Sequence, residues 1–169
     1  DTKLKILNKG AEIIHKKGFN NTGIKEILDS AGVPKGSFYF YFKNKEDFGL
    51  QLIDYYTDFI RIGIAELEAQ KDLTAVEKLK TLFDKIIYSI EESNYSGGCP
   101  IGNLSQELSD INENFRKKLS NSLNIMTKAV EVLLKEAVNN NEISLNIDSE
   151  DMAEFILNSF EGTIMRIKT

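Results

Sequence analysis

The sequence is poor in the features that would tie it to a disulfide, a metal or a membrane. Its 169 residues include one cysteine, Cys99, so a disulfide within the chain is excluded and a reducing cytoplasm is the expected location. No run of about 18 apolar residues is available to span a membrane, and no signal-peptide pattern opens the sequence. The single histidine, His15, lies outside any cluster of Cys, His and carboxylates, so we expect no metal site.

Catalytic patterns are also missing. No nucleophile–base pairing, phosphate-binding glycine loop or HExxH is present. Glu107 and Asp110, three residues apart, could share a face of a helix, but capping or a solvated charge explains them better than catalysis. We therefore expect neither an enzyme nor a bound cofactor.

Apolar residues recur at helical spacing along almost the whole chain, and no segment has a convincing strand pattern. The first three predicted helices are short: one ends at Lys16-Lys17-Gly18, one begins after Thr22 as its N-cap, and one runs roughly over residues 34–40. About five longer helices follow, the first opening at residues 44–47 and the last capped by Asp148. The sequence therefore predicts an all-α fold.

The net charge of −5 is distributed unevenly. Residues 1–48 hold nine lysines and six acidic residues, a net charge of +3, whereas residues 49–169 carry −8. A modestly basic head on an acidic body favours phosphate contact by the head alone. The alternative is a chance imbalance of charge in a short segment.

Residues 22–42 have the pattern of a helix, a tight glycine-containing turn and a second helix, which is typical of a helix-turn-helix. In that motif the second helix enters the major groove of DNA. At about 100° per residue, Phe38 and Phe42 share the side that packs on the first two helices. The side that faces outward carries Gly36, Ser37, Tyr39 and Phe40.

This outward side suits a DNA groove better than plain solvent. Glycine permits a close approach of the backbone, hydroxyls bond phosphates or base edges, and aromatic edges contact thymine methyls. Lys35, Lys43 and Lys45 surround it and can neutralise phosphate, and the following helix adds N-terminal N–H donors. The alternative, that the aromatics are core of a generic bundle, is weak because one short helix cannot turn four aromatics inward.

The stretch Ala31-Gly32-Val33-Pro34-Lys35-Gly36-Ser37-Phe38-Tyr39-Phe40-Tyr41-Phe42-Lys43-Asn44-Lys45-Glu46, with Gly18-Phe19 and Thr22 before it, closely resembles the signature of the TetR/AcrR family of transcriptional repressors. The resemblance implies a homodimer whose two heads bind a palindromic operator. Pro34 and Tyr41 stand where Ser or Thr and His are common, and we expect both to alter operator preference. The candidate DNA-contacting residues are Thr22, Lys25, Pro34, Lys35, Gly36, Ser37, Tyr39, Phe40, Tyr41, Lys43 and Lys45.

The resemblance also implies the domain organisation. An N-terminal three-helix helix-turn-helix DNA-binding domain is expected at residues 1–47, followed by a helical ligand-binding and dimerisation domain at residues 48–169. Residues 97–108 and 160–163 resemble motifs of one subgroup of the family. The family's last two helices form the four-helix bundle of the dimer, and here one such helix, about residues 148–168, is clear.

A ligand pocket among the helices after residue 48 is implied as well. With few buried charges predicted, an apolar or aromatic effector is favoured, although plain core packing would explain the same aromatics. The candidate ligand-binding residues are Tyr55, Tyr56, Phe59, Phe83, Ile87, Tyr88, Cys99, Phe115, Met126 and Phe155.

The sequence thus predicts a ligand-responsive repressor that is released from operator DNA by a small effector. Two alternatives stay open. Cys99 precedes a predicted helix start, where a thiol can become reactive, so the protein could instead be an electrophile- or redox-sensing repressor, or Cys99 could be inert packing. A helical ligand carrier or protein-interaction module that does not bind DNA is the alternative from another class.

Overall fold

The computed structural model describes residues 1–144, 146 and 148–168. Eight α-helices and no strand occur among these residues, which confirms the all-α prediction. The sequence has one short alternation of apolar and polar residues, at 143–147, which is too brief to predict a strand; its Leu145 and Ile147 lie outside the described residues. The helices are α1 (Thr2–Lys17), α2 (Ile24–Ala31), α3 (Lys35–Tyr41), α4 (Lys45–Glu68), α5 (Ala75–Glu92), α6 (Pro100–Leu108), α7 (Glu113–Asn139) and α8 (Ser149–Ile167).

The helix ends follow the local chemistry of the sequence, with one exception. Gly18 ends α1 at φ 84°, a backbone conformation that glycine adopts without strain. Thr74 and Glu77 form the capping box that opens α5, and the Asp148 carboxylate caps α8. The expectation that Thr22 caps α2 is wrong: the N-cap is Gly23, because the Thr22 hydroxyl donates a hydrogen bond to the carbonyl of Gly18 instead.

The chain forms two compact units. The first contains Asp1–Asp58 and Pro100–Ser120, and the second contains Phe59–Cys99 and Asn121–Thr169. The first unit therefore extends beyond residues 1–47 and includes α6, which the sequence assigned to the ligand-binding domain. Which unit carries which function stays a prediction.

Three aromatic rings form the core of the first unit. Phe38 of α3 and Phe42, the C-cap of that helix, pack on each other with ring centroids 5.0 Å apart. Both also pack on Phe48 of α4, at 5.9 Å from Phe38 and 5.1 Å from Phe42. All three side chains are buried, together with Ile6 of α1 and Ile27 of α2. Aromatic rings packed at this separation stabilise the fold slightly more than the burial of their apolar surface alone would. The cluster therefore fixes α3 against α4.

The second unit has its own apolar core. Val130 and Leu134 of α7 and Ala153 of α8 are buried, and Leu82 and Phe83 of α5 pack against them. No helix in the described part of the chain is both long enough and apolar enough to cross a bilayer.

Candidate nucleic-acid interface

The outward side of α3 is exposed as the helical periodicity predicts. Phe40 is 82% exposed and Tyr39 57% exposed, whereas Phe38 of the same helix and Phe42, its C-cap, are buried. Gly36 is exposed, and no atom lies within 4 Å of the position where a Cβ would be. Ser37 is half-buried at the edge of this surface. The outward side therefore offers two aromatic rings and a stretch of bare backbone to a partner.

The two exposed rings are oriented by their neighbours in the chain. Tyr39 meets the buried ring of Phe38 edge to face at 5.4 Å between centroids. Phe40 meets Tyr41 in the same way at 4.9 Å, and Tyr41 is half-buried against Phe42. These contacts restrict the rings before any partner binds, which lowers the entropic cost of ordering them.

Three of the candidate DNA-contacting lysines have exposed side chains. Lys35 opens α3, Lys43 follows it, and Lys25 of α2 pairs with Asp29 at 2.7 Å between Nζ and Oδ2. The hydrogen bond from Lys25 to Asp29 raises the pKa of the lysine. Because both side chains of this pair are exposed, water screens their attraction strongly. Lys25 can therefore leave Asp29 for a phosphate at little cost in free energy. Pro34 is also exposed, as the N-cap of α3.

The N-terminus of α4 is already capped. Asn44 Oδ1 accepts a hydrogen bond from the backbone N–H of Asp47 at 2.8 Å. The Asp47 carboxylate in turn accepts one from the N–H of Lys43 at 2.8 Å, and this bond lowers the pKa of Asp47. The cap predicted at residues 44–47 is confirmed, and it uses one N–H group of the first turn of α4, that of Asp47.

Two predicted contact residues are engaged inside the protein. Thr22 is 1% exposed, and its hydroxyl is 2.7 Å from the carbonyl oxygen of Gly18. Lys45 Nζ donates to the carbonyl of Asn20 at 3.3 Å and lies 4.7 Å from the centroid of Phe19. Burial lowers the pKa of Lys45, and the nearby Glu107 opposes that shift. The structure thus gathers Pro34, Lys35, Gly36, Tyr39 and Phe40 at the surface, whereas Thr22 is buried and the Lys45 ammonium group is engaged in contacts within the protein.

Glu107 of α6 takes part in this arrangement, which its position in the sequence does not reveal. Its carboxylate accepts hydrogen bonds from the backbone N–H groups of Phe19 and Asn20, at 2.8 and 2.6 Å. The partners are 88 and 87 residues apart in the chain, so no local pattern links them. The Glu107 carboxylate thus anchors the backbone of the loop that follows α1.

An apolar cavity of about 470 Å³ lies within the second unit. Ser89 and Lys85, both on α5, are the polar residues of its lining, and Lys85 is also 4.0 Å from Glu66. A cavity of this size and lining is typical of sites for small apolar molecules. The apolar lining consists of Phe59, Ile60, Gly63, Ile64, Leu67, Leu82, Phe83, Ile86, Met126, Ala129, Val130 and Leu157.

The cavity brings together three of the ten predicted ligand-binding residues, Phe59, Phe83 and Met126. Tyr55, Tyr56 and Phe115 lie outside this lining and belong to the first unit. There the Tyr56 hydroxyl donates to the Ala11 carbonyl at 3.0 Å, and Phe115 packs on Phe19. Burial raises the pKa of Tyr56. The other four also lie outside the lining: Ile87, Tyr88 and Phe155 are exposed, and Cys99 is half-buried.

Comparison with known proteins gives matches along most of the chain. A family model described as "Bacterial regulatory proteins, tetR family" matches residues 6–52, and one described as "Tetracyclin repressor-like, C-terminal domain" matches residues 75–169. The transcriptional regulator AcuR of Cereibacter sphaeroides is 32% identical over 163 residues, which cover 96% of this chain and 74% of AcuR. The HTH-type transcriptional repressor DhaR of a Mycobacterium species is 29% identical over 164 residues, covering 96% of this chain and 80% of DhaR.

A solved structure agrees with these matches. A regulatory protein TetR from Rhodobacter sphaeroides superposes with a TM-score of 0.91 at 32% identity, covering 98% of this chain and 87% of that chain. The matching proteins are regulators of transcription and not enzymes, and the helix-turn-helix of α2 and α3 falls within the matched DNA-binding region. The chain belongs to the TetR family of DNA-binding transcriptional regulators.

Proposed function

We propose that this protein is a repressor that binds a palindromic operator as a homodimer and leaves it when a small apolar or aromatic molecule fills the cavity of the second unit. The observation that carries the DNA-binding part is the exposed, uncharged side of α3, flanked by lysines. Such a side reads base edges and thymine methyls, while the lysines neutralise phosphates. Because operator DNA is in the bacterial cytoplasm, we place the protein there.

The dimer is supported by the exposed side of α8. Phe155 is 67% exposed on this helix, and Met165, ten residues further along, is exposed as well. Between them Gly162 has no atom within 4 Å of its Cβ position, so a second helix can approach closely there. Apolar side chains at this spacing share one face of a helix, which a second copy of the chain would cover.

The DNA-binding proposal is tested by selecting duplexes from a random library with the wild-type chain. We expect enrichment of a palindrome whose half-sites are about one turn of DNA apart, roughly 34–36 Å. Two chains should bind each duplex, and the affinity should fall steeply between low and physiological salt because counterions are released. Fluorescence anisotropy measures the affinity, and sedimentation measures the stoichiometry. No enrichment of any duplex would contradict the proposal and favour a carrier or protein-interaction module.

The effector part of the proposal is supported by the cavity and by the continuity of α4. Phe48, in the core beneath α3, and Phe59, on the wall of the cavity, belong to the same unbroken helix. A ligand changes operator affinity only if it binds the two conformations of the protein with different affinity. A molecule that displaces the cavity end of α4 meets this condition when the displaced helix no longer holds the two heads at the operator spacing.

Filling the cavity is expected to abolish the response to the effector without abolishing DNA binding. Ala129 lies in the lining on α7, and the Ala129→Phe side chain would occupy space that the ligand needs. The probe is the compound that most raises Tm in a panel of apolar and aromatic molecules. We expect Ala129→Phe to lose this Tm rise and the release from duplex. Ala65→Phe, on the exposed side of α4 and outside the lining, should keep both. Unchanged release by Ala129→Phe would contradict a site in the cavity.

A thiol switch at Cys99 is the second candidate, favoured by one contact. The Cys99 thiol hydrogen-bonds to the carboxyl of Glu161 on α8. Burial raises the pKa of Glu161, and the bond to Cys99 opposes that shift. A carboxylate in this position can act as a general base that accepts the thiol proton while the sulfur attacks an electrophile. The test treats each variant with the thiol reagent N-ethylmaleimide and measures release from the duplex in the same assay. A thiol switch predicts that Cys99→Ser, which lacks the thiol, stays bound. It also predicts that Ala129→Phe, which keeps the thiol, is released.

A further inference from the structure

The loop between α1 and α2 is held by two charged side chains of opposite sign. The Glu107 carboxylate accepts hydrogen bonds from the N–H groups of Phe19 and Asn20, at 2.8 Å to Oε2 and 2.6 Å to Oε1. On the other side of this loop, Lys45 Nζ donates to the Asn20 carbonyl at 3.3 Å. Hydrogen bonds to ionised groups are stronger than those between neutral groups. The loop is therefore fixed by side chains from α6 and α4.

The side chain of Phe19 prevents this loop from shifting. Its ring is buried and meets Phe115 of α7 edge to face at 5.6 Å between centroids. On α4, the position of a Cβ at Gly49 would lie 2.6 Å from the Phe19 ring, so the ring rests directly on the backbone of that helix. Gly18, just before the loop, would carry a Cβ 3.1 Å from the Glu107 carboxylate, and its φ of 84° also favours glycine. Space around the loop is thus limited on several sides.

The loop determines where the helix-turn-helix begins. It leads directly to Thr22, which is anchored to the Gly18 carbonyl, and to Gly23, the N-cap of α2. Because α2 packs in the same core as α3, a change in the loop would move the exposed side of α3 relative to the start of α4. Orientation errors of this kind weaken recognition because base contacts require exact register.

We propose that Glu107 is a positioning residue for DNA binding: from α6 it fixes the α1–α2 loop so that α3 presents its reading surface, without itself contacting DNA. This inference rests on the DNA-binding role proposed above. Lys45, predicted as a phosphate contact, is then the second positioning group of the same loop.

The sign of the charge effect makes the proposal testable. Removing a carboxylate from a protein that binds phosphate should by itself strengthen binding, because a repulsion is lost. Glu107→Gln keeps one carbonyl oxygen as an acceptor but turns an amide group toward the second N–H. Glu107→Asp keeps the charge but is one methylene shorter, so it cannot reach both N–H groups. If Glu107 acts by positioning the loop, both variants should weaken DNA binding. For Glu107→Gln this is the opposite of the stronger binding that loss of a negative charge alone would give.

The experiment measures the affinity of the full chain for the duplex that the wild type selects. We expect both Glu107 variants to bind roughly tenfold more weakly at a temperature where circular dichroism shows them folded. The control is Glu113→Gln, which removes the same charge from an exposed carboxylate of the first unit, 3.7 Å from Arg116 and 3.8 Å from Lys117. It should bind equally well or more tightly. The backbone amide resonances of Phe19 and Asn20 should move in the Glu107 variants and stay in place in Glu113→Gln.

Three results would overturn the positioning role. Glu107→Gln could bind as tightly as the wild type although the two amide resonances move. Both Glu107 variants could lose affinity only in proportion to the fraction unfolded, which would make Glu107 a residue of general stability. The two amide resonances could also stay in place. A wild type that selects no duplex would instead refute the DNA-binding role, and the amide resonances would still report on the loop.

Discussion

Replacing Gly49 with alanine is expected to lower the free energy of unfolding by about 2–3 kcal/mol, the upper end of overpacking costs. The new Cβ would lie 2.6 and 2.7 Å from two atoms of the Phe19 ring and 2.9 Å from the Phe115 ring. Both rings are buried and pack on each other, so neither has free space into which it can retreat. Either α4 moves away from these rings or the rings leave their favoured rotamers.

Gly63→Ala provides the matched control on the same helix. No atom lies within 4 Å of the Cβ position at Gly63, so alanine meets no obstacle there. In a helix interior alanine is favoured over glycine by roughly 0.5–1 kcal/mol, so this variant should be slightly more stable. Urea unfolding followed by circular dichroism measures both free energies from the midpoint and slope. Equal effects of the two substitutions would show that the close contact at Gly49 is relieved without cost.

The double substitution Tyr39→Ala and Phe40→Ala is expected to weaken binding to the selected duplex by roughly a hundredfold, since about 1.4 kcal/mol is tenfold and each ring should contribute about that much. Both rings are exposed on α3, whereas the buried Phe38 and Phe42 that hold the helix are untouched. The free energy of unfolding should therefore stay within about 0.5 kcal/mol of the wild type. The loss should persist at low salt, because it removes base contacts and leaves the phosphate contacts in place.

Tyr88→Ala is the control for removal of an exposed ring. Tyr88 is 62% exposed on α5, close to the 57% of Tyr39, but it belongs to the second unit. Its removal should leave affinity for the duplex unchanged in the same anisotropy titration. A comparable loss of affinity in Tyr88→Ala, or full affinity in the double variant, would contradict the proposal that α3 is the surface that contacts the bases.

The features that sequence predicts well are those that depend on neighbours in the chain. Helix ends set by Gly18, Thr74 with Glu77 and Asp148 follow from caps within a few residues. The division of α3 into a buried and an exposed side follows from the angle between successive residues. These signals are local, so one sequence is sufficient to find them.

The features that sequence misses depend on contacts between distant segments. Tyr56 and Phe115 have the same helical spacing as the cavity residues, but periodicity does not say which of two compact units a stripe faces. The sequence identifies Glu107 only as a capping or solvated charge, because its partners Phe19 and Asn20 lie far away in the chain. The assignment of α6 to the first unit depends on the same long-range contacts.

On α3, a helix of seven residues, one side packs into the core and the opposite side is exposed. The buried ring of Phe38, with Phe42 just after the helix, attaches α3 to the rest of the protein, while the exposed Gly36, Tyr39 and Phe40 contribute little to that attachment. If the outward side reads DNA as proposed, substitutions there change which base sequence is preferred at almost no cost in folding free energy, and their effects should add independently of changes in the core. A regulator built in this way can acquire a new set of target genes through a few single-residue steps, each of which leaves a folded protein.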